Sequence, residues 1–198
     1  MGAGGVQDVA CACVAGQLEL RYIECKQPEV VVVNTASAGR LRAVIVAIAE
    51  VIREFEPHTV IVPYWEGRHP DHYTAGRLCY EACFIAGLKS YPLAGEAFRP
   101  FKILYAAAYA DVRPTICVDI TKQYDRRRQA ILSYASQFRP VKKDEKSKVS
   151  IPLDELEGRM NDTARYYGRM IGVKYAEGFV VKEALQIDDV VRMPVRSI

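Results

Sequence analysis

Thr59-Val60-Ile61-Val62-Pro63-Tyr64-Trp65-Glu66-Gly67-Arg68-His69-Pro70-Asp71-His72 is the stretch on which the reading of this chain turns. Its opening run, Thr59 to Val62, is β-branched and has no polar alternation. That pattern predicts a strand covered on both faces, as in a parallel sheet. Pro63 ends the strand. A polar loop follows, and then a helical stretch from Asp71 to Leu88. Asp71 is expected to be its N-cap, because its carboxylate can accept bonds from the free N–H groups of the first turn. Gly87 is placed to help end it.

Working outward, Arg40 to Phe55 repeats apolar residues at Leu41, Val44, Ile45, Ile48, Val51, Ile52 and Phe55. This is the recurrence of an amphipathic helix, with Arg42, Glu50, Arg53 and Glu54 mostly on the other face. Pro57 stops it. Phe101–Tyr109 and Thr115–Ile120 read as strands, and Thr121 as the cap of a helix to about Phe138. Arg139–Ser150 is a charged, unpatterned connection, expected to be mobile. Pro152 opens a helix through Leu153, Leu156, Met160, Ala164, Tyr167 and Ile171, closed by Gly172, and Lys174–Val181 is strand-like. Helices alternating with short buried strands predict an α/β layered architecture. Upstream, Glu29–Asn34 holds four consecutive valines and could be a strand, while the residues before it show no clear period. Gly2-Ala3-Gly4-Gly5 lacks the preceding strand and the full spacing of a dinucleotide fingerprint.

The 198 residues fit one domain with a sizeable core, and the 50% hydrophobic and 26% charged content is that of an ordinary globular chain. A net charge of +3, scattered along the chain, argues against nucleic acid. No run approaches the roughly 20 apolar residues of a membrane span. The six cysteines follow no basic start and apolar leader, so free thiols and a cytoplasmic location are expected. Cys79 and Cys83 read as small core residues. His72 and Cys79 would stand roughly 10 Å apart along a helix, too far to share one ion.

Ligands of open α/β sheets bind beyond the carboxyl ends of the strands. The loop after Val62 leaves such an end with two of the three histidines. His72 falls in the first helical turn and His69 in the loop before it, so both imidazoles can face one cavity. A neutral imidazole is a good zinc ligand, and a second can polarise a carbonyl or stabilise an oxyanion. Arg68 offers a fork for a carboxylate or phosphate. The spacing is equally that of a turn and cap flanked by surface histidines, since zinc takes three protein ligands.

Val62 to His72 resembles the second metal-site motif of the LmbE-like (PIG-L) deacetylases. Cys117-Val118-Asp119-Ile120, Ser133-Tyr134-Ala135-Ser136-Gln137-Phe138 and Gly172-Val173-Lys174-Tyr175-Ala176-Glu177-Gly178-Phe179 follow in the order found in the deacetylases of bacillithiol biosynthesis. The resemblance covers about residues 41 to 190. It implies a Rossmann-like, mostly parallel sheet flanked by helices over 41–198, with 1–40 a poorly matching segment. It also implies a zinc-dependent hydrolase that removes the N-acetyl group of a glucosamine-containing small molecule, such as N-acetylglucosaminyl malate. Carried over by residue, His72 is the zinc ligand, and His69 stabilises the tetrahedral intermediate or serves as its acid. Asp71 orients a histidine, and Arg68 binds an acidic group of the substrate. Family members often assemble as trimers or hexamers.

The family also carries an early His-Pro-Asp-Asp motif, which supplies zinc ligands and the general base. This sequence has no such motif. Met1–Gly5 resembles the glycine-rich stretch that follows the motif, which would then lie immediately upstream. The remaining histidine, His58, should sit about 20 Å away at the opposite end of its strand. The expectation for these 198 residues is therefore a lost first strand and little or no deacetylase activity. The lost strand would expose a sheet edge or a hydrophobic helix face, favouring aggregation or a compensating strand from Glu29–Val33. A non-catalytic, sugar-binding remnant of the same fold is the alternative.

Overall fold

The computed structural model describes residues 9–15, 19–21, 30–35, 41–67, 69–107, 112–133, 153–193 and 195. Arg68, the Gly2–Gly5 stretch and Arg139–Ser150 lie outside them. The chain divides into two compact units, Met1–Arg113 with Phe179–Glu183, and Pro114–Gly178 with Ala184–Ile198.

In the first unit the strands are β1 (Val9–Ala15), β2 (Glu19–Arg21), β3 (Val30–Thr35), β4 (Thr59–Pro63) and β5 (Lys102–Ala106), with helices α1 (Leu41–Phe55) and α2 (Pro70–Ala86). Their order across the sheet is β2-β1-β3-β4-β5. β1, β3, β4 and β5 run parallel, and β2 is antiparallel to β1. β4 has neighbours on both sides, with Val30 opposite Thr59 and Lys102 opposite Thr59 across the other edge. Its apolar, β-branched run follows from that position. Phe179 and Val180 add an antiparallel partner to β5, with Val180 opposite Tyr105.

The expected strand over the consecutive valines is present as β3. β3 runs beside β4, and β1 covers β3 in turn. Neither β1 nor β2 is foreshadowed by pattern: β1 is a run of alanine, cysteine and valine with neither strand alternation nor helical period, and β2 is only Glu19-Leu20-Arg21.

α1 packs on α2, and the core holds Ile48, Ile52, Val60, Val62, Leu78, Cys79, Cys83 and Tyr105. Each large apolar side chain buried this way contributes about 2 kcal/mol. Cys79 and Cys83 are buried as expected, and burial pushes both thiols up, Cys83 to about 12. One α1 residue departs from its expected place. Arg53 is only 6% exposed, and its guanidinium donates to the carbonyls of Ala86, Leu88, Leu93 and Gly95. α1 closes where Glu56 takes a left-handed φ of 45°, just before Pro57.

The second unit contains β6 (Ile116–Asp119), α3 (Tyr124–Leu132), α4 (Leu153–Ile171), the first residues of β7 (Ala176–Val180) and a 3-10 turn at Val190–Arg192. Thr121 does not cap α3. Its N–H is taken by Asp119 Oδ1 at 2.8 Å, and its hydroxyl lies 3.4 Å from the Tyr175 carbonyl, so a turn intervenes and Gln123 becomes the N-cap. Tyr124 stacks on Tyr175 at 3.8 Å, and Arg127 pairs with Glu177. Gly172 ends α4 with φ +74°, a left-handed conformation open to glycine.

Candidate functional site

The site begins where β4 ends. Pro63 and Tyr64 turn the chain outward, with Tyr64 on Trp65 at 4.2 Å between ring centroids and Trp65 edge-on to Tyr105 at 4.6 Å. α2 is held against this end by an unusually close approach. A Cβ on Gly76 would lie 2.4 Å from the Pro63 carbonyl oxygen, so only glycine lets the helix rest on the strand's last carbonyl.

The helix opens differently from the sequence expectation. His69, not Asp71, is the N-cap, with extended φ and ψ, and Pro70 is the first helical residue. Proline suits that position because its missing N–H would have had no helical partner. Asp71 lies inside the first turn, where its N–H donates to His69 Nδ1 at 3.3 Å. Its carboxylate faces the positive helix end, and Oδ2 is 3.8 Å from His69 Nδ1. With Nδ1 accepting, the neutral His69 ring carries its proton on Nε2 and is a donor there.

His72 follows in the same turn, its N–H on the His69 carbonyl at 3.1 Å. The two imidazoles stand 5.2 Å apart between centroids. The structure thus brings His69, Asp71 and His72 together at the carboxyl end of β4. His58 sits at the strand's other end, its ring on Phe101 and its carbonyl accepting from Phe101 and Lys102.

Burial is the main cause that holds the His72 imidazole below the ordinary histidine value of 6.5; His69 adds to it, and Asp71 pulls the other way. A neutral ring is the form that coordinates a metal. The unfolded chain therefore binds this proton more tightly than the folded one. The stability His72 contributes is complete above about 6.5 and is lost as the pH falls from there toward the depressed folded value. In the metal-free protein, His72→Gln should flatten the rise of unfolding free energy with pH below that point. Urea titrations at a series of pH values check this, and identical slopes in both proteins would refute it.

Tyr73, the residue after His72 on α2, helps line a shallow, open hollow of about 220 Å³ with Trp65, Glu66, Gly67 and Arg77. Tyr73 and Arg77 are one turn apart on α2, with the Arg77 guanidinium 5.9 Å from the Tyr73 ring. Sequence reasoning passed over Tyr73 and Arg77. Their spacing from His69 along one helix face was the available signal. Two rings with one carboxylate and one guanidinium suit a polar, hydroxyl-bearing ring.

His72 has the right chemistry for zinc, but among the described residues no three His, Cys, Asp or Glu side chains converge on one point. The described residues therefore do not make up a zinc site, which normally takes three protein ligands. No helix among them is long and apolar enough to cross a membrane.

No model of a protein family matches the chain. Over 140 residues it is 34% identical to the diacetylchitobiose deacetylase of Thermococcus kodakarensis, a match covering 66% of this chain and 47% of that protein. The chain thus spans about half the length of that curated relative. The crystal structure of the conserved protein TT1542 from Thermus thermophilus is similar at 30% identity and a TM-score of 0.64, covering 79% of this chain and 68% of that one. N,N'-diacetylchitobiose deacetylase from Pyrococcus horikoshii matches at 24% identity and a TM-score of 0.57, over 75% of this chain and 56% of that one. A 4-carboxy-2-hydroxymuconate hydratase from Pseudomonas putida matches at 18% and 0.60, over 81% of this chain and 68% of that one. The last two speak for the fold alone, and the hydratase shows the fold serving different chemistry.

Proposed function

The chain belongs to the LmbE-like (PIG-L) family, and from that premise we propose that its site serves hydrolysis of an N-acetyl group on a glucosamine-containing small molecule. The observation that carries this reading is the paired His69 and His72 at the N-terminus of α2, 5.2 Å apart at the end of β4. N-acetylglucosaminyl malate, the substrate of bacillithiol biosynthesis, is the favoured compound, with Arg68 meeting its carboxylates.

In this reading the neutral His69 presents its Nε2–H to the oxygen of the acetyl carbonyl as that oxygen becomes negative, and Asp71 holds that tautomer through its own backbone N–H on Nδ1. As general acid, His69 would act as the imidazolium, giving its Nε2 proton to the leaving amine while Nδ1–H faces the Asp71 carboxylate. His72, kept neutral by burial, offers a lone pair to a metal. When bound, zinc would supply an acidified water, but the described residues do not complete its site. The base belongs to the His-Pro-Asp-Asp motif that the sequence lacks. The 198 residues alone therefore turn over weakly. Cytoplasmic location and assembly into trimers or hexamers are part of the same proposal.

Acetate release and bound zinc, measured on this chain and on one extended upstream through a His-Pro-Asp-Asp motif, test the reading. N-acetylglucosaminyl malate, N,N'-diacetylchitobiose and N-acetylglucosamine serve as substrates. The extended chain should bind about one zinc and release acetate, and His72→Ala should remove both, a loss on the order of 10³-fold in rate. Stoichiometric zinc and full turnover in the short chain would overturn the impairment. No acetate from any substrate with the extended chain would leave a sugar-binding remnant instead.

A further inference from the structure

Lys182 carries its ammonium among three aromatic rings. Nζ is 4.4 Å from the Tyr80 ring centre, 4.7 Å from Trp65 and 5.0 Å from Tyr105. All three distances fall within the range of a cation–π attraction. The rings come from separate places: the loop after β4, the middle of α2, and β5. Lys182 reaches them because Val180 pairs with Tyr105 in the β5–β7 ladder. Lys182 follows two residues after that pair, in the bend just past the end of β7, and its ammonium turns back over the Tyr105 ring. Lys182 is an exposed residue, and among the described residues its ammonium meets these three rings rather than a carboxylate.

Tyr105 is the floor of this cage. It is 1% exposed and its hydroxyl has no partner among the described residues. Burial, with Tyr80 and Glu183 adding to it, raises the phenol far above its ordinary range. The ring therefore stays neutral, and the ammonium meets a π face rather than a phenolate. Trp65 leans edge-on against the same Tyr105, which leaves it gripped between the floor and the cation.

We propose that Lys182 is the positioning residue of the loop after β4, a cationic clamp that fixes Trp65 and with it one wall of the hollow that Tyr73, next to His72 on α2, also lines. Trp65, Glu66 and Gly67 form that wall, facing Tyr73 and Arg77. This gives a task to the chain that follows the Gly172–Phe179 block: it delivers a cation to the rim of the site. Only the identity of the cavity's occupant rests on the deacetylase reading.

Trp65 is the single tryptophan of the chain, so intrinsic fluorescence reports on the clamp alone. In K182M, acrylamide quenching of Trp65 should rise by about twofold or more as the ring gains freedom, and its emission should move to the red. K182R, which keeps the cation, should match the parent protein in both. Affinity for N-acetylglucosaminyl malate, by calorimetric titration, should fall roughly three- to tenfold in K182M and recover in K182R. Unchanged quenching in K182M overturns the clamp, as does K182R behaving like K182M. Should K182M fail to fold, a folded K182R with parental quenching supports the clamp and an unfolded one overturns it. A parent protein that binds no such sugar counts against the deacetylase reading and leaves the fluorescence result standing.

Discussion

Arg53→Met is expected to lower the unfolding free energy by about 3–4 kcal/mol, roughly 10 °C in Tm for a chain of this size. The guanidinium lies under α1 and spreads over four carbonyls, those of Ala86, Leu88, Leu93 and Gly95, at 2.8 to 3.1 Å. Ala86 closes α2, where carbonyls without helical partners concentrate negative charge. Arg53 thus acts as a C-terminal cap supplied by the neighbouring helix, and it also pins the turn that leads toward β5. Methionine fills the volume but leaves those oxygens without donors, and that desolvation cost outweighs the apolar gain. Arg53→Lys keeps the charge without the planar fork and should recover part of the loss. Urea unfolding of the three proteins checks the order. A Met variant as stable as the parent would mean that water replaces the guanidinium freely.

That arginine also marks a limit of sequence reading. By helical period Arg53 belongs to the polar face of α1, and its partners lie more than thirty residues away, so no local pattern announces its burial. β4 was legible for the opposite reason: a run of β-branched residues without alternation has few uses besides a strand paired on both sides. The site was half legible. His69 and His72 declare themselves by residue type and by their place after a strand. The capping role passed from Asp71 to His69 because Pro70 suits the first helical position, which moves the helix start two residues upstream. The Lys182 cage could not have been read, since its rings come from three elements and meet only in the folded chain. β1 escaped because its small residues carry little periodic signal, and β2 because three residues are too few to show a period.

Gly76→Ala carries the second large effect, and its sign runs against helix propensity. Alanine in the interior of an exposed helix is worth about 1 kcal/mol over glycine. Here the new methyl would stand 2.4 Å from the Pro63 oxygen and 3.4 Å from its carbonyl carbon. That oxygen is backbone in a strand paired on both sides, so it cannot step aside as a flexible side chain would. Either α2 lifts or β4 shifts, and overpacking of this kind costs about 1–3 kcal/mol net. The displacement matters beyond stability. His69 and His72 ride on the same helix end, and their position relative to the carboxyl end of β4 is set by this contact. The variant should therefore unfold at lower urea and also show moved histidine ring signals by NMR, while Cys79 and Cys83 stay protected from thiol reagents under native conditions. A Gly76→Ala protein more stable than the parent, with unmoved histidine signals, would show that α2 does not rest on Pro63. The placement of the two histidines would then need another cause.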